Sequence, residues 1–153
     1  MRIYRTDNYE MVAKLNKTVH NIHAHMYPEY FKEYSDAAAT EFFKSIININ
    51  SFIFLILEDH NEPIGYAWLE IRNYPEIVFN KGYQSIYVQQ ISIEETRRKK
   101  GYGSKLMEEV YNIAKNTKID LVELDYWMKN QQATDFYQKQ GFTKSREFVF
   151  KKL

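Results

Sequence analysis

The chain has no cysteine among its 153 residues, which removes disulfides, thiolate metal centres and a cysteine nucleophile from consideration. A covalent acyl-cysteine intermediate goes with them. Proline and glycine are scarce, three and five residues standing singly, so there is no material for a linker or a Pro/Gly-rich low-complexity segment. Neither sign of charge dominates. Lys and Arg number 21 against 20 Asp and Glu, a formal net charge of +1, and any anion site must therefore be a local cluster. The longest apolar run, "FIFLIL" at 52–57, is far short of the roughly 20 residues that span a bilayer, and the polar start "MRIYRTDNYE" does not read as a leader. These absences lead us to expect one domain over residues 1–153, soluble and cytoplasmic, with neither membrane nor nucleic acid as partner.

What is present is a hydrophobic and aromatic fraction, 44% and 16%, sufficient for a sizeable core. Ile3 to Arg5 reads as a short strand. Thr6 or Asp7 is placed to cap a helix whose apolar positions Met11, Leu15, Val19, Ile22 and Met26 recur at helical spacing, with Pro28 as its end. Ser35 or Asp36 caps a second helix through Phe42, Phe43, Ile46 and Ile47. "SFIFLILED", "HNEP" and "IGYAWLEIR" then read as strand, turn, strand. "QSIYVQQISI" is a further strand, and Leu106, Val110 and Ile113 stripe the helix after it. Strand "IDLVELDYW", helix "QQATDFYQKQ" stopped by Gly141, and strand "REFVFKK" complete the pattern. The order β-α-α-β-β-β-α-β-α-β predicts a mixed α/β sheet flanked by helices.

After the strand "QSIYVQQISI" comes "RRKKGYGSKLMEEV", Arg97 to Val110, which reads as a loop running into the third helix. Glycines between a strand and a helix let the backbone approach a ligand, and the first helical N–H groups with the positive end of the helix dipole favour an anion, phosphate above all. A Walker loop requires Gly-Lys-Ser/Thr after four spacers, and "GYGSK" lacks that order; a dinucleotide fingerprint requires a third glycine where Leu106 stands.

Arg98-Lys99-Lys100-Gly101-Tyr102-Gly103 instead resembles the Arg/Gln-x-x-Gly-x-Gly/Ala signature of the GNAT superfamily, the Gcn5-related N-acetyltransferases. "NQQATDFYQKQGF", Asn130 to Phe142, is similar to that family's second signature and follows in the expected order. The likeness covers essentially the whole chain, residues 1–80 through layout alone. It implies a mostly antiparallel GNAT sheet with one splayed strand pair, acetyl-CoA as cosubstrate, no metal, and direct acetyl transfer to a primary amine of a small molecule or peptide. Many relatives dimerise, which makes a homodimer an expected assembly.

The resemblance also implies roles. Backbone groups of Arg98, Lys99, Lys100, Gly101, Tyr102, Gly103 and Ser104 would hold the cofactor diphosphate, with the cationic side chains nearby. Backbone groups of Ile91 and Ile93, with Ser92 between them, would meet the pantetheine and thioester, an N–H near Ile91 polarising the carbonyl. Asn130 would reach the pantetheine, or serve as an N-cap. Tyr137 would donate a proton or hydrogen bond to the leaving thiolate. The family's strand Glu is missing: Tyr87 occupies its place, followed by Gln89 and Gln90, and Glu70 is the nearest strand-borne carboxylate. Deprotonation of the amine is then expected to run through water. "NIHAHMYPEYFKEY" (21–34) and "RNYPEIVFNKGYQ" (72–84) are candidate acceptor walls, and the spacing of His20, His23 and His25 does not make a metal set. An acyl-CoA-binding module without turnover is the alternative reading.

Overall fold

Six consecutive residues of "FIFLILED" are buried, Ile53 to Glu58, and a strand buried on both faces must have covering elements on both. The computed structural model, which describes all 153 residues, supplies them. β2 (Phe52–Asp59) lies between β1 (Arg2–Arg5) and β3 (Glu62–Tyr74), followed by β4 (Tyr83–Ile93) and β5 (Val122–Glu123), in the sheet order β1-β2-β3-β4-β5. The first three pairings are antiparallel and β4 with β5 is parallel. The four helices are α1 (Tyr9–Met26), α2 (Asp36–Ile46), α3 (Tyr102–Asn116) and α4 (Gln131–Lys139).

Side chains alternate across the strands, so the sheet serves two cores. One face sends Phe54, Ile56 and Tyr66 against Val12, Leu15 and Phe43 of α1 and α2. The other sends Leu55, Leu57, Leu69, Ile86 and Val88 against Leu106, Met107, Val110 and Ile113 of α3, with Tyr137 of α4 at its margin. Each such Leu or Ile, removed from water, contributes about 1.5–3 kcal/mol. Gly65 is required where β3 meets β4. A Cβ there would stand 2.5 Å from Ile93 Cδ1 and 2.7 Å from the Ser92 carbonyl oxygen.

The element order is the expected one through α4, with differences at the boundaries. The cap of α1 is Asn8, one residue past the expected position: its Oδ1 accepts the Met11 N–H at 3.0 Å, while Thr6 Oγ1 accepts the N–H of Asn8 itself. Ser35 caps α2 as expected. The fifth strand is only two residues long, and the expected strand at "REFVFKK" is not formed. Residues 143–153 have no regular structure and no backbone hydrogen bond, and Phe148 is 98% exposed. Alternation alone does not make a strand; a ladder partner does, and the chain offers none where the tail leaves α4.

β1 is held by more than its ladder. Arg2 donates to buried Glu58 through Nε (2.7 Å) and Nη2 (3.1 Å), and Tyr4 OH adds a third contact at 3.4 Å. These bonds, Arg2's first, hold the Glu58 carboxyl below its usual value. A depressed folded pKa gives a contribution that is present above the unfolded value and lost as pH falls through the folded one. Arg2→Ala should therefore lower the melting temperature at pH 7, and the gap from wild type should narrow below the ordinary glutamate value of about 4.3. A gap independent of pH in thermal melts would assign Arg2 to packing instead.

Candidate active site

β4 runs to Ile93, but its ladder with β5 covers only Ile86↔Val122 and Tyr87↔Glu123. Beyond Tyr87 the two strands part. On the β3 side the register steps from Leu69↔Val88 to Trp68↔Gln90, leaving Gln89 without a counterpart, a β-bulge. The bulge decides which amides face the opening. Ile86 N–H bonds to Leu121 O at 2.9 Å, on the β5 side, whereas Glu94 N–H bonds to Ile64 O at 2.8 Å, on the β3 side. Counting back from Glu94 by alternation turns Ser92 and Gln90 to β3 and Ile91 and Ile93 to the gap. Without the extra residue that parity would be reversed. Ile91 and Ile93 thus turn their N–H groups to the gap, while Ser92, buried opposite Tyr66, acts as the spacer between them.

A buried network fixes the bulge from the α1 side. Asn16 Nδ2 donates to Tyr66 OH (2.8 Å) and to Gln90 Oε1 (2.5 Å), and Tyr66 OH donates to the same Gln90 oxygen. Burial pushes the Tyr66 phenol far above its ordinary value, so it stays a donor.

At the far end of β4 comes a short 3₁₀ turn (Glu95–Arg97) and then the glycine loop. Lys99 (φ 61°) and Gly101 (φ 85°) are both left-handed, and Gly101 caps α3 without a side-chain bond. None of the successive backbone N–H groups from Lys99 to Ser104 has a partner in the chain. Six adjacent orphan donors at a helix start, with left-handed residues interleaved, form a concave nest for an anion. A Cβ on Gly101 would meet nothing within 4 Å, which is open space over the nest. Gly103 answers to packing: a Cβ there would come to 3.2 Å from the Phe136 ring of α4.

The four cations divide. Arg97 Nη2 is committed to Glu62 at 2.8 Å, and Arg98 Nε donates to Ile93 O at 3.0 Å, which ties the loop to the end of β4. Lys99 and Lys100 are exposed and without an acidic partner. Tyr102 OH donates to Asp59 (2.7 Å), and Ser104 Oγ accepts from Gln140 Nε2 (3.1 Å), so both side chains anchor the helix start.

Tyr137 is buried among Tyr126 (5.8 Å, stacked), Phe136 and Phe142, in the cluster that holds Val88 and Ile93. Its hydroxyl makes no hydrogen bond within the chain, yet it is not among the sealed polar atoms, so it retains access to solvent. Burial, then nearby Tyr111 and Asp125, push its pKa well up, and it remains a protonated donor. Asn130 is the N-cap of α4, its Oδ1 accepting the Ala133 N–H at 3.1 Å, which leaves its amide N–H₂ free. Capping and ligand contact are thus compatible.

The carboxylates resolve differently from the sequence pattern. Glu70 Oε2 accepts from Gln89 Nε2 (2.6 Å) and Arg72 Nε (2.8 Å), and is committed to that pair. The Tyr87 phenol, at the family's glutamate position, donates to Asp125 just past β5, beneath an Arg72 guanidinium 3.5 Å from its ring. Burial, with the Asp125 bond second, pushes Tyr87 up to about 12. Asp125 is the acidic residue the sequence reading missed; the carboxylate ending "IDLVELD" was its only signal.

Of the candidate walls, residues 21–34 meet the loop after β5. Tyr27, Tyr30 and Phe31 surround Trp127 at 4.5–5.6 Å, and Tyr27 OH accepts the Lys129 N–H. His23 lies 5.2 Å from Phe31, and burial lowers its pKa, keeping the imidazole neutral at physiological pH. His20 Nε2 sits 2.7 Å from Lys32 O. No helix is long and apolar enough to cross a membrane.

A parted strand pair with free backbone N–H groups, continuous with an anion nest and a buried tyrosine, has the shape and charge to hold an extended, phosphate-bearing ligand along a sheet edge. The model of the acetyltransferase (GNAT) family matches residues 17–142, and the chain belongs to that family. Among solved structures it is similar to a mutant of the BH1408 protein from Bacillus halodurans, at TM-score 0.93 and 23% identity over 100% of this chain and 99% of that one. It is also similar to aminoglycoside N-acetyltransferase AAC(6')-Iy in complex with CoA, at TM-score 0.77 and 17% identity over 99% and 93% of the two chains. Aminoglycoside 6'-N-acetyltransferase AAC(6')-IG from Acinetobacter haemolyticus matches at 0.74 and 13% over 100% and 98%. At these identities the likeness establishes the fold.

The nest depends on one residue that tolerates φ 85° without a side chain over the loop. Gly101→Val should cost about 1–2 kcal/mol of stability through left-handed strain and abolish most of the melting shift produced by CoA. A variant that kept the full CoA response would place the anion elsewhere.

Proposed function

We propose that the chain is an acetyl-CoA-dependent N-acetyltransferase that moves the acetyl group directly to a primary amine of a small molecule or peptide. The observation that carries this reading is the continuity of free backbone donors from Ile91 and Ile93 on β4 through Lys99 to Ser104 at α3. The nest matches a diphosphate, the strand edge matches the amides of a pantetheine arm, and two of the similar folds are aminoglycoside N-acetyltransferases. Acetyl-CoA, when bound, supplies an activated acyl thioester.

Residues Lys99 to Ser104 hold the phosphates, with Lys99 and Lys100 adding charge-assisted bonds. The Ile91 N–H is the oxyanion donor, a contribution of about 3 kcal/mol for one preorganised bond in a dry site. The Tyr137 hydroxyl faces the departing sulfur. A thiol of ordinary pKa about 8.5 is a stronger acid than a phenol of about 10, and burial widens that gap. Tyr137 therefore stabilises the developing thiolate chiefly as a hydrogen-bond donor. An alkylammonium must lose a proton before attack, about 4 kcal/mol from pKa 10 at neutral pH. Asp125, oriented by Tyr87, receives that proton through water, and the Tyr27–Trp127 aromatic wall receives the carbon skeleton. With no cysteine in the chain, amine and cosubstrate bind together.

A second reading, an acyl-CoA-binding module without turnover, is favoured by one observation: Tyr87 replaces the strand glutamate and Glu70 is tied up by Arg72. The two readings part in one assay. Acetyl-CoA at about 100 times its dissociation constant should stabilise the fold by about 2.7 kcal/mol under either. Only the enzyme releases free thiol in proportion to added amine. Tyr137→Phe should keep that stabilisation and lower kcat by about 10²-fold; unchanged kcat would reduce Tyr137 to packing, and a mutant that no longer binds would make it a pocket residue. No thiol release from the wild type across a broad amine panel would favour the binding module.

A further inference from the structure

The sheet face that packs on α1 and α2 is apolar only as far as Trp68. Past that point Leu69, Ile71, Ile86 and Val88 belong to the α3 core, and alternation leaves Glu70, Arg72 and Tyr74 of β3 with Ser85 and Tyr87 of β4 on the opposite face. Val122 and Leu124 also turn to α3, so Glu123 and Asp125 join the same polar floor. Charge on this floor is uneven. Arg72 is paired with Glu70 at 2.8 Å, whereas Glu123 and Asp125 are met by phenols and by no cation. Tyr74 and Tyr83, stacked at 4.3 Å, each donate to a different oxygen of Glu123 at 3.3 Å, and Tyr87 donates to Asp125. Phenol bonds orient a carboxylate and leave its charge in place.

A second, independent mark lies on the same floor. Ser85 Oγ, opposite Arg72 and between Tyr83 and Tyr87 along β4, is fully buried and has no hydrogen-bond partner in the chain. Buried hydroxyls are ordinarily bonded, and an orphan within a polar floor is accounted for by a ligand, or the water it carries, that completes the bonds. Carboxylates without counter-ions exclude an anion, and phenol rings with an unpaired hydroxyl suit a group with several N–H donors. We propose that this floor is a subsite for a second ammonium of the acceptor, with Glu123 as its counter-ion, so that the acceptor is a di- or polyamine. The inference rests on the acetyl-transfer reading, in which Asp125 receives the proton of the reacting nitrogen. Glu123 stands two residues from Asp125 on one strand face, and its ladder partner Tyr87 is three β3 steps from Ile91, from Glu70 to Ala67. That places the second charge roughly 7–10 Å from the reacting nitrogen. Transfer neutralises one end alone: the acetyl group moves to one nitrogen, which gives up its proton as the thiol departs, and the other nitrogen keeps its charge beside Glu123.

Thiol release at saturating acetyl-CoA tests the subsite with length-matched amines. For the wild type, kcat/KM for diaminohexane should exceed that for hexylamine by about tenfold or more, beyond the factor of two that two equivalent amines supply, whereas diaminopropane, too short to reach Glu123, should gain little over propylamine. N-acetyldiaminohexane, of similar reach but without the second cation, should react as slowly as hexylamine, so the reaction stops at the monoacetylated product; this comparison requires no variant. Glu123→Gln should bring the diaminohexane advantage down to that factor of two and keep the melting shift produced by CoA, which reports a folded, loaded protein. Equal kcat/KM for diaminohexane and hexylamine, rapid acetylation of N-acetyldiaminohexane, or an advantage that survives Glu123→Gln would overturn the subsite and leave acetyl transfer standing. No thiol release with any of these amines, although CoA still binds, would overturn the acetyl-transfer reading and the subsite with it.

Discussion

A buried backbone N–H needs an acceptor, and the parting of β4 from β5 leaves several without one. That single constraint organises the structure. β4 continues six residues beyond Tyr87, the last of its residues paired with β5, and the amides exposed on that side can be satisfied by water or by a ligand that imitates a strand. The bulge at Gln89 selects Ile91 and Ile93 for the role, and the buried Asn16–Tyr66–Gln90 bonds keep the bulge in place. Helix α1, remote from the anion nest, thereby sets the register of the slot.

The nest continues the same geometry at higher charge density. Arg98 holds the loop to the Ile93 carbonyl, which ties the nest to the end of the slot. Tyr102 and Ser104 brace α3 against β2 and α4, leaving its first N–H groups aimed outward. A site preorganised in this way requires little reordering on binding, and more of the contact energy is expressed as affinity. Tyr137 packs in the core on the α3 face of the sheet, with its ring against Tyr126 and Phe142 and its hydroxyl unbonded within the chain.

Much of this was legible in the sequence because it rests on local chemistry. The glycine loop, its left-handed Gly101, the N-cap at Asn130 and the stop at Gly141 are each specified by a residue whose backbone preference is strong. The two signatures placed the nest and Tyr137 by resemblance. What escaped was non-local. The partner of Tyr87 is a carboxylate 38 positions away, and no periodicity links them. The bulge is a mismatch between two strands and is invisible in either one alone. Glu70 looked like a free carboxylate because Arg72 and Gln89 meet it only after β3 and β4 are aligned. The strand expected at "REFVFKK" has the correct alternation and lacks only a neighbour, which sequence pattern does not report.

The central claim is that the unpaired β4 edge and the α3 nest form one ligand slot. Amide hydrogen exchange with and without CoA measures this residue by residue. Ile91 and Ile93 should gain protection together with the amides of Lys99 to Ser104, while Ile86, already bonded to Leu121, should change little. Protection of the nest alone, with Ile91 and Ile93 exchanging as before, would show that the ligand does not enter the gap and would contradict the account.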